Sequence, residues 1–315
     1  MAADVFKKHS IGWVGAGRMG YPMAQRLLKA GCDVAVYNRT RAKAEPLKEY
    51  GAKIVDKPIE LADRDIVFTI VAASDDFKDV TIGPDGVLSR KDARPKILVD
   101  STTVSEESST EVRAAAERLG VKLLAAPVSG NGKVVKAGKL SFAVSGPRDA
   151  YDVVEPLLAA IGTGSTYVGE GDLSRLMKIC HNVFLGVVSQ SLAEITVLAE
   201  KRGVPRHAFL EFMNKSVMGS TFTRYKSPAF VNLDYTVTFT PKLLRKDLDL
   251  GLSAARALEV PMPLAAATRE IVQALIGSGY GESDFAALLT QAAKAAGLEL
   301  KPENVPVDDG LGAKG

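Results

Sequence analysis

Two cysteines, one tryptophan and three histidines in 315 residues leave little material for redox or metal chemistry. Cys32 and Cys180 are too few for a disulfide framework and have no metal-ligand spacing, so no metal is expected. No run approaches the roughly 18 apolar residues of a membrane span. The stretch from Met1 to Ser10 lacks the apolar core of a secretory leader. Forty Lys and Arg stand against 37 Asp and Glu, a net charge of +3. No one-signed field therefore attracts nucleic acid or a membrane surface. What is left is a cytoplasmic chain with a small-molecule partner, long enough for one or two domains with a substantial core.

Glycine, by contrast, is present in one telling arrangement. Gly15, Gly17 and Gly20 form G-x-G-x-x-G after an apolar run starting at Ile11 and before a helical pattern. Gly15 permits a tight strand-to-helix turn and Gly17 lets a pyrophosphate approach the backbone. Gly20 lets the helix pack close to the sheet, and the helix N-terminus offers N–H groups to the phosphates. Glycine-rich turns are common, but strand, glycines, helix and a second strand at Asp33–Tyr37 follow in the order that a dinucleotide site needs. Gly15, Ala16, Gly17, Arg18, Met19 and Gly20 are predicted to line a cofactor. The second strand ends in Asn38-Arg39-Thr40 rather than in an acid. An acid there would accept a bond from a ribose 2′-hydroxyl, whereas an Arg meets a 2′-phosphate. NADP is thus expected over NAD, with Asn38, Arg39 and Thr40 at the ribose and Arg41 or Lys43 adding charge. The plain alternative is a solvated basic turn.

From Ile11 to about Val168, apolar runs alternate with amphipathic segments. The runs lie at 11–14, 34–37, 66–71, 97–99, 122–125 and 142–144. The amphipathic segments include 22–30, 41–50 and 105–119. This rhythm predicts an α/β domain, a mostly parallel, doubly wound sheet with helices on both faces. Val71 and Ala72 leave a strand at the carboxyl end, where ligands lie in such sheets. After Gly169-Glu-Gly171 the pattern turns helical. Asp172 is a candidate N-cap, and Leu173 to about Lys201 reads as one long helix. Further helices are predicted at 206–214, 241–257, 263–277 and 284–296, with strand signal only around 231–240. The predicted organisation is a dinucleotide-binding domain over 1–171, an all-α domain over 172–300 built on the long helix, and a flexible tail over 301–315.

Between Leu176 and Leu198 the only ionisable side chains besides Cys180 are Lys178, His181 and Glu194. A helix this apolar all round is expected to be buried, and burial lowers the pKa of a lysine. His181 and Asn182 follow Lys178 by three and four residues and flank it on one face. A lysine tuned toward neutrality suits general acid/base work. The plain alternatives are a lysine snorkelling to solvent and a satisfied core histidine, and spacing does not decide between them.

Five segments, in order across about residues 11–250, resemble motifs of the β-hydroxyacid dehydrogenases. That family includes 3-hydroxyisobutyrate dehydrogenase, glyoxylate/succinic semialdehyde reductases and 6-phosphogluconate dehydrogenase. The segments are Gly15–Ala24, Asp100-Ser-Thr-Thr103, Ala126-Pro-Val-Ser-Gly-Asn131, Lys178-Ile-Cys-His-Asn182 and Lys246-Asp247-Leu248. The resemblance implies a Rossmann domain and hydride transfer between a nicotinamide and a small 3-hydroxyacid or its semialdehyde. It implies Lys178 as catalytic acid/base, oriented by Asn182, and Ser129 with Gly130 on the substrate carboxylate. Thr103 would lie beside the cofactor and Lys246 near nicotinamide and substrate. A homodimer or homotetramer built through the long helix is also implied.

The chain departs from the family pattern at several positions. Ala16 stands for a usual Leu, and Asn131 replaces a glycine of the substrate loop. His181 replaces an Asn, as in the 6-phosphogluconate dehydrogenases, but Leu185 stands where those enzymes carry a Glu used in decarboxylation. Asn131 and His181 point to a substrate bearing an extra hydroxyl, amine or acid. Two other readings share the architecture: an imine reductase-like enzyme, which usually lacks the lysine, and a non-catalytic NADP-binding interaction protein.

Overall fold

The computed structural model describes residues 6–312, so the ends of the N-terminal stretch and of the tail lie outside the described residues. The chain divides into two compact units between Lys178 and Ile179, inside the long helix.

The first unit is built on six strands: β1 (Ser10–Val14), β2 (Asp33–Tyr37), β3 (Lys53–Ile54), β4 (Ile66–Thr69), β5 (Ile97–Asp100) and β6 (Lys122–Ala125). All pair in parallel, in the order β3-β2-β1-β4-β5-β6. Such a sheet is covered on both faces and needs apolar side chains on both. The strands comply by alternation. Ile11, Trp13, Ile66, Phe68, Ile97 and Val99 enter one core, while Val14, Val67, Leu98 and Leu123 enter the other. Trp13 stacks on Phe68 with ring centres 5.3 Å apart.

The helices of this unit include α1 (Gly20–Lys29), α2 (Ser74–Thr81) and α3 (Glu106–Arg118), the last capped by Ser105. The helix expected over 41–50 is instead two 3₁₀ segments, Arg41–Lys43 and Glu45–Tyr50. Pro46 withholds the N–H that a continuous helix would need there. A second, three-stranded sheet holds β7 (Val128–Ser129), β8 (Ser141–Val144) and β9 (Gly164–Tyr167), with β7 antiparallel to β8. The run at 142–144 therefore belongs to this smaller sheet and not to the main one. Two more helices, α4 (Gly132–Lys136) and α5 (Arg148–Ile161), complete the unit.

Helix α6 (Leu173–Lys201) runs across the division. The expectation that it is buried all round holds only in part: Leu176, Met177, Phe184, Ile195 and Leu198 are exposed on the single chain. By length and hydropathy it is the one helix among the described residues able to cross a membrane, and half of its most apolar window is buried within the protein.

The second unit continues with α7 (Arg206–Lys215), α8 (Thr221–Asn232), α9 (Pro241–Ala257), α10 (Pro263–Leu275) and α11 (Leu288–Ala295). The strand expected around 231–240 does not form: α8 takes its first two residues and 233–240 is irregular. Ser220 and Thr223 form its capping box, and it ends at Leu233, whose φ is 54°. The irregular segment that follows is fixed by Asp284, which accepts from the Thr238 N–H at 2.8 Å and hydroxyl at 2.7 Å. The same buried carboxylate lies 2.6 Å from the buried Lys226 ammonium, which stands over the Phe285 ring. Part of the tail expected to be flexible is docked. Glu303 accepts from the Arg206 and His207 N–H groups at 2.7 and 3.0 Å, Asn232 donates to the Val305 carbonyl, and Val305 and Val307 pack on the core.

Burial pushes the Asp284 carboxyl up, but Lys226, Thr238 and the Ala286 N–H outweigh it and hold it below the ordinary 3.8. Its stabilising contribution is complete above that value and is lost as the pH falls through the lower folded one. Removing one partner of a buried pair leaves an uncompensated charge. Lys226→Met is expected to lower the unfolding free energy at neutral pH by about 3–5 kcal/mol, read by urea denaturation. An unchanged midpoint would show that the pair contributes nothing.

Candidate active site

The glycine motif sits at the carboxyl end of β1. Gly15 has a φ of +103°, and a Cβ there would collide with the Ile70 carbonyl oxygen. A Cβ on Gly20 would collide with the Gly15 carbonyl, so the turn closes only with glycine at both positions. At Gly17 nothing lies within 4 Å of a Cβ position, so the backbone between turn and helix is open to a ligand. An open backbone cradle at the start of α1 fits a dinucleotide pyrophosphate.

Asn38, at the end of β2, braces this loop. Its Oδ1 accepts from the Ala16 N–H at 2.7 Å and its Nδ2 donates to the Thr40 carbonyl at 2.8 Å. Arg39 is 79% exposed at its side chain and pairs with Asp76 at 2.7 Å. Arg41 is engaged by Glu45 and Asp56.

A buried polar cluster occupies the carboxyl ends of β4 and β5. Asp100, fully buried, accepts from the Thr69 hydroxyl at 2.7 Å and the Thr102 N–H at 3.1 Å. Its other oxygen accepts from Arg175 at 2.8 Å. The Thr102 hydroxyl in turn accepts from the Val71 N–H at 3.1 Å. Asp172, expected as the cap of the long helix, accepts from Ser109 and Arg113. Burial pushes its carboxyl up, but Arg113 and Arg175 hold it below the usual range. The orphan N–H of Ser174 in the first helical turn is met by the Ser145 hydroxyl.

Ser129 closes β7, and Gly130 follows with a φ of +135°. Asn131 caps α4, its Oδ1 accepting from the Lys133 and Val134 N–H groups at 3.0 and 3.1 Å. The side-chain oxygen of Asn131 is thus committed to the backbone.

On α6, Lys178 ends the first unit and is half-buried. In the second unit Asn182 is buried and donates from Nδ2 to Asp247 at 2.6 Å. Its Oδ1 faces Nδ1 of the exposed His181 at 2.9 Å. A carboxylate partner fixes the orientation of the amide, so Oδ1 is the acceptor and His181 carries its proton on Nδ1. The exposed Lys246 ammonium stands 3.5 Å from the other Asp247 oxygen. Gly251 lets α9 approach, because a Cβ there would strike the Val183 side chain.

Asp100, Thr102, Arg175 and Asp247 organise these regions and were not picked out as site residues in the sequence. The available signal was charge in apolar surroundings: Asp100 ends the run Ile97–Val99, and Asp247 lies between leucines at helical spacing.

Comparison with known proteins gives two family matches. The NAD-binding domain of 6-phosphogluconate dehydrogenase matches residues 10–169, and the NAD-binding domain of NADP-dependent 3-hydroxyisobutyrate dehydrogenase matches 173–292. The chain is 34% identical over 288 residues to the chloroplastic glyoxylate/succinic semialdehyde reductase 2 of Arabidopsis thaliana, covering 91% of this chain and 80% of that protein. A solved 3-hydroxyisobutyrate dehydrogenase from Salmonella typhimurium is 26% identical with a TM-score of 0.78, covering 89% of this chain and 99% of that one. An imine reductase from Pseudomonas sp., at 20% identity and a TM-score of 0.59 over 90% of this chain and 99% of that one, shares the fold.

The Asn38 brace is open to a direct check. Asn38→Ala leaves the Ala16 N–H without its partner, a loss of about 1 kcal/mol or more. Affinity for the nicotinamide dinucleotide, measured by calorimetry, is expected to fall about five- to tenfold with unchanged circular dichroism. Unaltered affinity would show that the brace does not shape the loop.

Proposed function

This chain belongs to the β-hydroxyacid dehydrogenase family, and we propose that it is an NADP-dependent oxidoreductase acting on a small 3-hydroxyacid, its semialdehyde or a short oxoacid. The observation that carries this reading is an intact lysine, Lys178, on the long helix that follows a nicotinamide-dinucleotide domain. When bound, the nicotinamide supplies or accepts the hydride.

In the oxidative direction Lys178, as the amine, takes the proton of the substrate hydroxyl. In reduction its ammonium gives that proton to the carbonyl oxygen. Asn182, anchored by Asp247, orients lysine and substrate. Ser129 and the Gly130 N–H hold the substrate carboxylate. His181, Lys246 and the Asn131 amide are the polar groups whose chemistry would suit a substrate with an added hydroxyl or amine. Imine reduction fits less well, because the lysine of the hydroxyacid chemistry is retained.

NADP is favoured by Arg39 just after β2, where the chain carries no acid of its own to bond a ribose 2′-hydroxyl. The Arg39–Asp76 pair is exposed and contributes no more than about 1 kcal/mol, so a phosphate can displace the carboxylate at little cost. The second matching domain also bears the name of an NADP-dependent enzyme. Val71, Ala72 and Thr103 complete the cofactor face, with Arg18, Met19 and Thr40. A homo-oligomer would cover Phe184 and Leu198, which are 68% and 71% exposed on the single chain.

Two variants test the proposal. Lys178→Ala is expected to bind NADPH normally and lose about 10²–10⁴ in kcat; near wild-type turnover would remove Lys178 from the chemistry. Arg39→Asp is expected to reverse or abolish a preference for NADP+ measured as kcat/KM with both cofactors. A wild-type preference for NAD+ would overturn the cofactor assignment.

A further inference from the structure

Arg175 stands in the first turn of α6, one turn before Lys178, and is nearly as buried as the Asp100 it pairs with. Its guanidinium uses separate donors in separate directions. Nη2 reaches Asp100 at 2.8 Å, Nη1 the Thr102 carbonyl at 3.0 Å, and Nε the Ser109 hydroxyl at 2.8 Å, with Asp172 at 3.4 Å. Asp100 is itself oriented by Thr69 and the Thr102 N–H, and the Thr102 hydroxyl holds the Val71 N–H. One side chain thus fixes the start of the lysine-bearing helix to the loops at the ends of β4 and β5. All of these groups belong to the first unit.

We propose that Arg175 is a positioning residue for Lys178: the Arg175–Asp100–Thr102 bonds set the rotation and height of the first turn of α6, and so the place of the lysine ammonium relative to the loops at Val71 and Thr102. This rests on the reading of Lys178 as the acid/base. A well-packed apolar contact of the same volume would hold the fold at least as well as a buried ion pair. It would not fix direction, because only the planar fork of an arginine binds several acceptors at set angles. One turn of helix transmits that direction rigidly, since Lys178 lies only about 4.5 Å along the axis from Arg175. Misplacing a catalytic group by about 1 Å can cost on the order of a hundredfold in rate.

The test uses the full chain with Arg175→Lys, which keeps a cation opposite Asp100 and loses the fork. A second variant, Arg175→Met with Asp100→Asn, removes both charges together. Each is compared with wild type and with Lys178→Ala in thermal midpoint, NADPH affinity, kcat, KM and the pH dependence of kcat. Arg175→Lys is expected to fold and to bind NADPH within about threefold of wild type. Its kcat should fall about ten- to a hundredfold at nearly constant KM, and the midpoint of the pH profile should move. The double variant is expected to recover thermal stability without recovering kcat. Wild-type kcat and pH profile in either folded variant would overturn the proposal. So would failure of both variants to fold, which would make the pair a folding element. Near wild-type turnover by Lys178→Ala sinks the acid/base reading itself. An inactive Lys178→Ala beside a fully active Arg175→Lys sinks only the positioning role.

Discussion

A parallel sheet buried on both faces gathers its ligand-facing polar groups outside the core, at the carboxyl ends of its strands. In this chain those ends collect Gly15 after β1, Asn38 after β2, Thr69 and Val71 at the end of β4, and Asp100 and Thr102 at the end of β5. Each is tied to a neighbour by hydrogen bonds: Asn38 to Ala16, Asp100 to Thr69, and Thr102 to Val71. The cofactor loops are therefore not independent segments that happen to meet. They are positioned by the strand ends and by these bonds between them.

The long helix is tied to these strand ends through the buried side chain of Arg175. Buried charge is costly unless it is fully bonded, and Asp100 and Arg175 meet that condition with partners on three elements. In the second unit Asp247 has a comparable part, orienting Asn182 and through it the tautomer of His181. In each case a buried carboxylate sets the geometry of groups closer to the proposed chemistry.

Much of this was legible in the sequence where one residue type alone satisfies the geometry. The glycine turn is such a place, because no Cβ fits beside the Ile70 and Gly15 carbonyls. Five strands of the main sheet were readable because burial on both faces demands apolar runs, whereas β3, the two residues Lys53–Ile54, is too short to show one. Elements decided by tertiary contacts were not. Helix α8 contains Pro228 and is defined by its Ser220–Thr223 cap, while β7 and β9 are too short or too polar to show an apolar period. The docked part of the tail depends on Glu303 meeting α7 about a hundred residues back, which no local pattern shows. The cap that the Asn131 oxygen forms on α4 was likewise not legible, since it depends on how the loop turns into the helix.

The central claim is that the dinucleotide domain and the lysine-bearing helix together perform hydride transfer on small hydroxyacids. The most direct measurement mixes the full chain with NADP+ and a panel of 3-hydroxyacids and serine-like amino acids, and follows NADPH formation. The reverse reaction is followed with NADPH and the matching semialdehydes or glyoxylate. NADPH formation or consumption with at least one member of the panel is the expected result. Saturable NADP+ binding with no turnover in either direction would contradict the claim and leave a cofactor-binding protein without this chemistry.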